Sequence, residues 1–496
     1  TELIGITHIL PYHNLLVDMT MNHIENHKMS TMSAEYQTKF DRENRISSII
    51  ETLGGTDITQ IFIHSVASLG KETELATALP GFEKYPERSL LVARTDDIVC
   101  VLERVDNQYL QFLSSLGVGP RNGNVIQASK CLYQNDNANL SDSLMSNQEA
   151  LLTIRKLVKQ NKKIVLNPYI ASPKEFKLAA ILETILGRKV HISARNAKIV
   201  EYANYKHNIR TKALELGIPV PEGDMVELQL GEDGKPIDLK LIKVAINRNI
   251  GKTGRVIVKG SFGLSGSSIF IVEDNPKSIH KALSNIADRT DNSIYIVEVM
   301  LDITTSPNVL MHIEPGNGRI SCVGITDQIL SDNLAHEGNI YPSNAKTLKD
   351  IINSAQRMSK WLLTEGYSEL VGFDFVEYCN PETGGLNHFL AEINPRTNAA
   401  TYPRSLMEHL NTKQRQKGGP YIEAFLSVNI KTNARLFAQL RERYGHLFFN
   451  PKTGEGLVPY NIGCLNYGKF TSAIFGKSRN EVMEMYEDFK TLLAKE

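Results

Sequence analysis

The sequence predicts an α/β domain that passes into α+β units, and three features carry that reading. The first 200 residues alternate short β-rich runs with helical segments, the middle of the chain sets strands around a Gly/Ser loop, and residues 372–394 read as two acidic strands joined by a turn. Alternation of strand and helix argues for a parallel sheet. A short connection between two strands argues for a hairpin.

In chain order, IFIHSV (61–66), SLLVAR (89–94), DIVCVL (97–102), KIVLNPY (163–169) and KVHIS (189–193) read as strands of an N-terminal domain, residues 1–200. KEFKLAAILETILG (174–187) carries apolar residues at helical spacing and closes on Gly187, which suits a C-cap. The polar stretch 134–147 is expected to loop over the surface. A second unit, residues 201–300, opens with a helix in which Ile209, Ala213 and Leu216 share a face, and Gly217 and Pro219 end it. VIVKG (256–260), SIFIV (268–272) and SIYIVEVML (293–301) read as its strands. A third unit, residues 301–410, contains RISCVGI (319–325), a helix over 347–366, and the strands GFDFVEY (372–378) and HFLAEIN (388–394). The polar stretch 411–420 reads as a boundary before an α+β extension, residues 411–496.

Length and composition narrow the class of function. A chain of 496 residues with 42% hydrophobic and 22% charged residues fits about three globular domains. Its 55 basic residues balance 55 acidic ones, which argues against a nucleic-acid partner, since phosphate neutralisation dominates such binding. The five cysteines are scattered without a CxxC pair, as in a reducing compartment. The sequence from Thr1 lacks a signal-peptide pattern, and no apolar run reaches about 18 residues. The expectation is a cytoplasmic protein with no membrane segment.

Chemistry concentrates in three places. Glu392 and Asn394 lie two residues apart on one strand and so face the same side, and Asp374 sits on the neighbouring strand between two phenylalanines. Three hard oxygen donors on one face suit Mg²⁺, with Arg396 just beyond as a permanent cation for phosphate oxygens. The alternative is a polar, solvent-facing strand and turn. Next, Lys259 ends an apolar strand and enters a loop containing Gly260, Ser261, Gly263, Gly266 and Ser267. Glycines let backbone N–H groups approach an anion, although a hairpin tip has the same composition. The spacing matches neither a Walker A loop nor GxGxxG, and Gly251-Lys252-Thr253 lacks the first P-loop glycine because position 246 is Ile. Finally, Glu298 and Asp302 lie on a strand that suits adenosine, while Lys206 and Arg210, at i and i+4, share a helix face that suits phosphate or plain solvent.

Order and spacing of these signals resemble the ATP-grasp superfamily over roughly residues 200–405: Lys206 before GIPVP, Lys259 before the Gly/Ser loop, Glu298, then GFDF and EINPR. The resemblance implies an ATP-grasp fold with an N-terminal Rossmann-like pre-ATP-grasp domain and a C-terminal α+β extension. It implies phosphate contacts from Lys206 and Lys259 and a lid at 260–268. Adenosine would be held by Glu298 or Asp302 with the backbone at Val299 and Leu301, and Mg²⁺ by Asp374, Glu392 and Asn394. Arg396 and Lys259 are the implied catalytic cations, and Gln328 and His336, within 325–343, the implied substrate contacts. One departure stands out: Gly372 occupies the position where many members carry an arginine. The long N-terminal region and the tail with GEGLVPYNIGCLNYGKF (454–470) are similar in layout to the pheganomycin-type peptide ligases.

The activity so implied is ATP- and Mg²⁺-dependent activation of a carboxylate as an acyl phosphate, followed by amide formation with an amine. Amino acids or peptides are the expected substrates. Transfer to a carrier-protein thiol and non-catalytic nucleotide binding are the competing readings. A homodimer is the default assembly.

Overall fold

The computed structural model describes residues 37–55, 57–70, 72–129, 139–193, 196–262 and 268–494. The signal-peptide reading of the N-terminus, Cys131, and the loop residues Gly263, Gly266 and Ser267 fall outside them.

Five strands, β1 (Ile58–Ile63), β2 (Ile98–Val101), β3 (Val125–Gln127), β4 (Lys163–Pro168) and β5 (Val190–Ile192), form a parallel sheet in the order β3-β2-β1-β4-β5. Helix Pro173–Leu186 joins β4 to β5. It starts on a capping box between Ser172 and Glu175 and ends on Gly187 at φ 66°, a left-handed position that glycine adopts without strain. Its Leu178 and Leu182 pack with Leu140, Leu144 and Ile154 on one face of the sheet.

Two expectations fail here. SLLVAR is no strand: it ends the 3₁₀ segment Phe82–Leu91, in which Ser89, Leu90 and Leu91 are all buried. An unbroken buried run carries no periodicity, so strand and helix look alike in sequence. Nor is 134–147 loop throughout, because Leu140–Met145 is a helix capped by Asn139 whose Leu140 and Leu144 reach the core.

The antiparallel strands β6 (Gly223–Glu227), β7 (Arg255–Gly260), β8 (Ile269–Glu273) and β9 (Ile294–Val299) form a second sheet in the order β6-β9-β7-β8. Helices Lys240–Thr253 and Pro276–Ala287 contribute Ile242, Ile246, Ala282 and Ile286 to a small core of its own with Val256, Val258 and Val297. Gly251-Lys252-Thr253 is the last turn of the first of these helices.

The remaining strands build one nine-stranded sheet. These are β10 (Ile303–Thr305), β11 (Pro307–Ile313), β12 (Ile320–Leu330), β13 (His336–Tyr341), β14 (Glu369–Cys379), β15 (Leu386–Asn394), β16 (Ala424–Lys431), β17 (Gly456–Tyr460) and β18 (Lys469–Gly476). Strand β11, unrecognised in the sequence, is buried along its whole length between β12 and β14. Strand β13 pairs with β16, so the chain beyond residue 411 extends the sheet. The expected boundary at 411–420 is a correction as well: residues up to Lys417 belong to helix Thr401–Lys417. Its polar side chains are used internally, Asn411 exchanging two hydrogen bonds with the backbone of Ile422 and Gln414 donating to the Pro451 carbonyl. Among the described residues no helix is long and apolar enough to cross a membrane.

Helix Thr401–Lys417 is pinned to the N-terminal region through Arg404, which is 1% exposed. Its Nη2 lies 2.7 Å from the Asp41 carboxylate and 3.0 Å from that of Glu408. Tyr341 donates to Asp41, and Ser48 with the amides of Ile49 and Ile50 donates to Glu408. Removing one member of such a network strands the others as buried charges. Arg404→Met is expected to cost about 3–5 kcal/mol, read as a lower urea midpoint at unchanged m-value.

His64 makes a second bridge, its ring nitrogens 3.0 Å from the Tyr402 hydroxyl and 3.3 Å from Asn167 Oδ1. Burial pushes its pKa down to about 3, against the Asn167 hydrogen bond and with some help from the nearby Arg88 cation. The unfolded chain therefore takes up a proton near 6.5 that the folded chain refuses until about 3. Stability is full above pH 6.5 and falls as the pH drops through that window. Thermal midpoints measured across the window should fall less steeply for His64→Gln than for the unaltered protein.

Candidate functional site: an acidic hairpin facing a three-walled cleft

Strands β14 and β15 pair so that Asp374 stands opposite Glu392 and Gly372 opposite Asn394. The acidic face expected from side-chain alternation is thus assembled. Asp374 accepts hydrogen bonds from the side-chain amides of Asn308, Gln328 and Asn394, the last two at 2.8 and 2.9 Å. Burial first and the facing Glu392 second raise its pKa to about 6, while the three amides pull the other way. A cation between the two carboxylates would remove that repulsion. Among the described residues no three His, Cys, Asp or Glu side chains converge, so the amide oxygen of Asn394 is needed as a third donor beside Asp374 and Glu392. The hard-oxygen chemistry of this set fits Mg²⁺.

Gly372 explains the missing arginine. A Cβ there would lie 2.3 Å from the Asn398 amide nitrogen, so the position has no room for a side chain. Asn398 in turn donates to Asn308, which donates to Asp374. This chain of amides occupies the space beside the first acid.

Lys206, at the start of helix Lys206–Glu215, lies 3.5 Å from Glu392 and so reaches the metal-type face. Lys259, at the end of β7, pairs with Glu298 on β9 at 2.5 Å, and both are buried. Arg210 takes the other oxygen of Glu298 and donates to the Pro221 carbonyl at 2.7 Å. Two expectations change. Glu298 is not an acid open to ribose, because two cations hold it. Arg210 is directed at Glu298 rather than offered to phosphate. Asp302 stands apart in solvent, paired with Arg255 at 3.0 Å. Val299 is buried at the end of β9, with Leu301 in the link that leads to β10.

The base of the loop after β7 is clamped. Phe262 exchanges two backbone hydrogen bonds with the Asn292 side chain at 2.6 and 2.7 Å, and a Cβ on Gly260 would meet that same amide at 2.7 Å. Gly260 is therefore required by packing. Ser261 is buried and binds the first turn of helix Lys206–Glu215, its carbonyl taking the Lys206 N–H at 2.9 Å.

The acidic hairpin forms the floor of a cleft with room of about 230 Å³. Gln328 and His336 line it from the nine-stranded sheet, Tyr169 from the N-terminal domain and Ile269 from the second sheet. Burial lowers the His336 pKa, against a hydrogen bond with Asn339, so the ring is neutral near pH 7. Arg396 reaches the cleft from the turn after β15, with Nη1 on Asn204 at 2.9 Å and Nε unpartnered. Sequence reasoning missed Asn308, Asn339, Asn398 and Tyr169. Of these, Asn398 lies two residues past EINPR and was within reach of the motif, whereas the others converge only through folding.

Residues 86–184 match the family model described as the Pre ATP-grasp domain. The matched segment takes in strands β2 to β4 of the parallel sheet, and the two antiparallel sheets follow it in the chain. Among solved structures, one similar chain is N5-carboxyaminoimidazole ribonucleotide synthetase with ADP, at 12% identity and TM-score 0.47, covering 87% of this chain and 95% of the other. Carboxyaminoimidazole ribonucleotide synthase from Aspergillus clavatus with ATP is 11% identical at TM-score 0.47, covering 88% and 99%. The biotin carboxylase domain of Hydrogenobacter thermophilus 2-oxoglutarate carboxylase, with MgADP and bicarbonate, is 13% identical at TM-score 0.45, covering 77% and 86%. No curated protein sequence matches. Likeness at this distance leaves the activity of the chain to be argued from its own residues.

The double ion pair at Glu298 yields a direct test. Glu298→Gln leaves Arg210 and Lys259 buried with one acceptor fewer, so unfolding stability should fall by about 3 kcal/mol, read by denaturant titration.

Proposed function

We propose that the chain is an ATP-dependent ligase. It would transfer the terminal phosphoryl group of ATP to a substrate carboxylate, and an amine would then displace phosphate from the acyl phosphate to form an amide. The observation that carries this reading is the Asp374–Glu392 pair, set face to face across a hairpin on the floor of a cleft, with Lys206 against Glu392. Burial and the facing Glu392 raise the proton affinity of Asp374, and such an arrangement is suited to a cation that binds phosphate. Mg²⁺ held by Asp374, Glu392 and Asn394 would neutralise phosphate charge and leave positions open to phosphate oxygens.

The protein's own groups supply the rest. Lys206 and Lys259 would bind phosphate oxygens, exchanging their present partners Glu392 and Glu298 for them. Arg396, with its unpartnered Nε in the cleft, would orient the reacting carboxylate and spread the charge of the transfer step. The strand-to-strand loop after Ser261, clamped at its base by Asn292, would cover the phosphates and exclude water from the acyl phosphate. Small amino acids or peptides are the substrates that this reading favours.

The test is nucleotide turnover with Mg²⁺-ATP across pooled amino acids, small carboxylates and short peptides, with mass analysis of products. ADP with a dehydrated conjugate supports the ligase, whereas AMP and pyrophosphate would overturn it. Asp374→Asn and Glu392→Gln are each expected to lower ADP release by about 100-fold or more with an unchanged circular dichroism spectrum. Full activity in both variants would remove the assignment.

A further inference from the structure

The cleft above the acidic hairpin has an apolar side as well as a polar one. Leu330 and Leu334 line it from β12 and the turn that follows, Leu69 and Leu79 from the N-terminal domain, and Ile269 from β8. All five are half-buried, so each keeps apolar surface where it lines the cleft. Strand alternation ties this side to the acids. Gln328, which donates to Asp374 at 2.8 Å, and Leu330 are two residues apart on β12, so they face the same way about 7 Å apart. On β13, Asn339 stands opposite Gln328 and His336 opposite Leu330, and the register shift between the two pairs turns both onto the cleft. The residues expected at adenosine, Glu298, Val299, Leu301 and Asp302, do not line this cleft, so its apolar side faces the substrate rather than the base.

Leu334 is the informative residue. Its φ is 60°, in the left-handed region, where a leucine is strained and an asparagine or glycine is not. Arg45, also left-handed, caps helix Lys39–Asn44, and Asn461 is of the type that tolerates the conformation. Leu334 instead closes the turn between β12 and β13. Its N–H donates to the Ser331 carbonyl at 2.8 Å, and the Ser331 N–H donates to the Ala335 carbonyl at 2.9 Å. Such a turn forms with less strain around an asparagine. The leucine side chain takes no part in those bonds and lines the cleft. Strain kept at a residue that faces the cleft points to a use for its side chain in binding.

We propose that Leu334, with Leu330, Leu69 and Leu79, forms a subsite for an apolar substituent of the carboxylate to be activated. The substrate class is then an amino acid with a branched apolar side chain, or a peptide that carries one at its carboxyl end. A polar substituent of equal shape would enter this side without a hydrogen-bond partner, whereas an apolar one leaves water at a gain. Leu334 is a specificity residue and not a catalytic one. The inference rests on the ligase reading for which carboxylate is bound, while the apolar subsite can be tested without turnover.

The experiment compares L-leucine with L-asparagine, two amino acids of nearly equal shape and charge whose side chains end in methyl groups or in an amide. Thermal shift is measured with each at equal concentration in the presence of Mg²⁺-ADP. Leucine is expected to raise the midpoint of the unaltered protein by roughly 2 °C or more above asparagine. Leu334→Asn should remove that difference, while its own midpoint without amino acid stays unchanged or rises, since asparagine relieves the left-handed strain. Equal shifts from the two amino acids in the unaltered protein would overturn the proposal, and that comparison needs no variant. A midpoint without amino acid lowered by about 4 °C or more in Leu334→Asn would also overturn it, because the leucine would then be holding the fold together. In turnover, kcat/KM for leucine should exceed that for asparagine by about tenfold or more, and Leu334→Asn should cut the ratio about fivefold or more. ADP release driven by polar carboxylates alone would sink the apolar subsite and leave the ligase reading standing. A Leu334-dependent leucine shift without ADP release from any carboxylate would sink the ligase reading and leave the subsite standing.

Discussion

The buried Arg404 network is the constraint on which the cleft depends. It locks helix Thr401–Lys417 against two short helices of the N-terminal region, through Asp41 on one side and through Ser48, Ile49 and Ile50 on the other. The same helix follows directly on the turn that carries Arg396 and Asn398, and it presents Tyr402 to His64 and Arg88. A charge that cannot move without losing two partners gives that helix one seating. Because both the floor and the far wall of the cleft hang from it, their separation is set by the network rather than by loop conformation.

Charge compensation also organises the chemistry. Glu298 is held by two cations, Asp374 by three amides, and Glu392 faces a lysine across the cleft. In each case the carboxylate is engaged with cationic or amide partners of the protein. Such pairing keeps the polar side chains ordered and lowers the cost of leaving them partly buried. Arg88 is the exception, with rings in place of a counter-ion.

Much of the candidate site was legible in the sequence because its groups are local. Glu392, Asn394 and Arg396 are alternate residues of one strand and its exit, and alternation alone puts them on one side. Asp374 joins them through a register shift between Asp374 and Phe375, which sets it opposite Glu392 and which no local pattern in the sequence announces. Lys259 was legible locally, as a charged end to an apolar strand. Glu298 was seen but misread: spacing placed it on the right strand, yet its role depends on Arg210 and Lys259, which come from other elements. Gly260 and Gly372 show the limit differently. Both looked like signals for or against a ligand, and both are glycines because a neighbouring asparagine, Asn292 or Asn398, fills the space of a Cβ.

By itself the sequence determined the alternating N-terminal sheet and the two strands of the acidic hairpin, since these rest on periodicity and short-range turns. Only the tertiary structure decided that Ser89–Leu91 end a 3₁₀ segment, that β11 fills the middle of the large sheet, and that β16 to β18 continue it. Buried runs lose their periodicity, and strand order is a matter of long-range pairing that no local pattern records. The amide chain beside Asp374 and the unpaired guanidinium of Arg88 belong to the same class. They join residues far apart in sequence, and what each side chain does there depends on which partner the fold supplies.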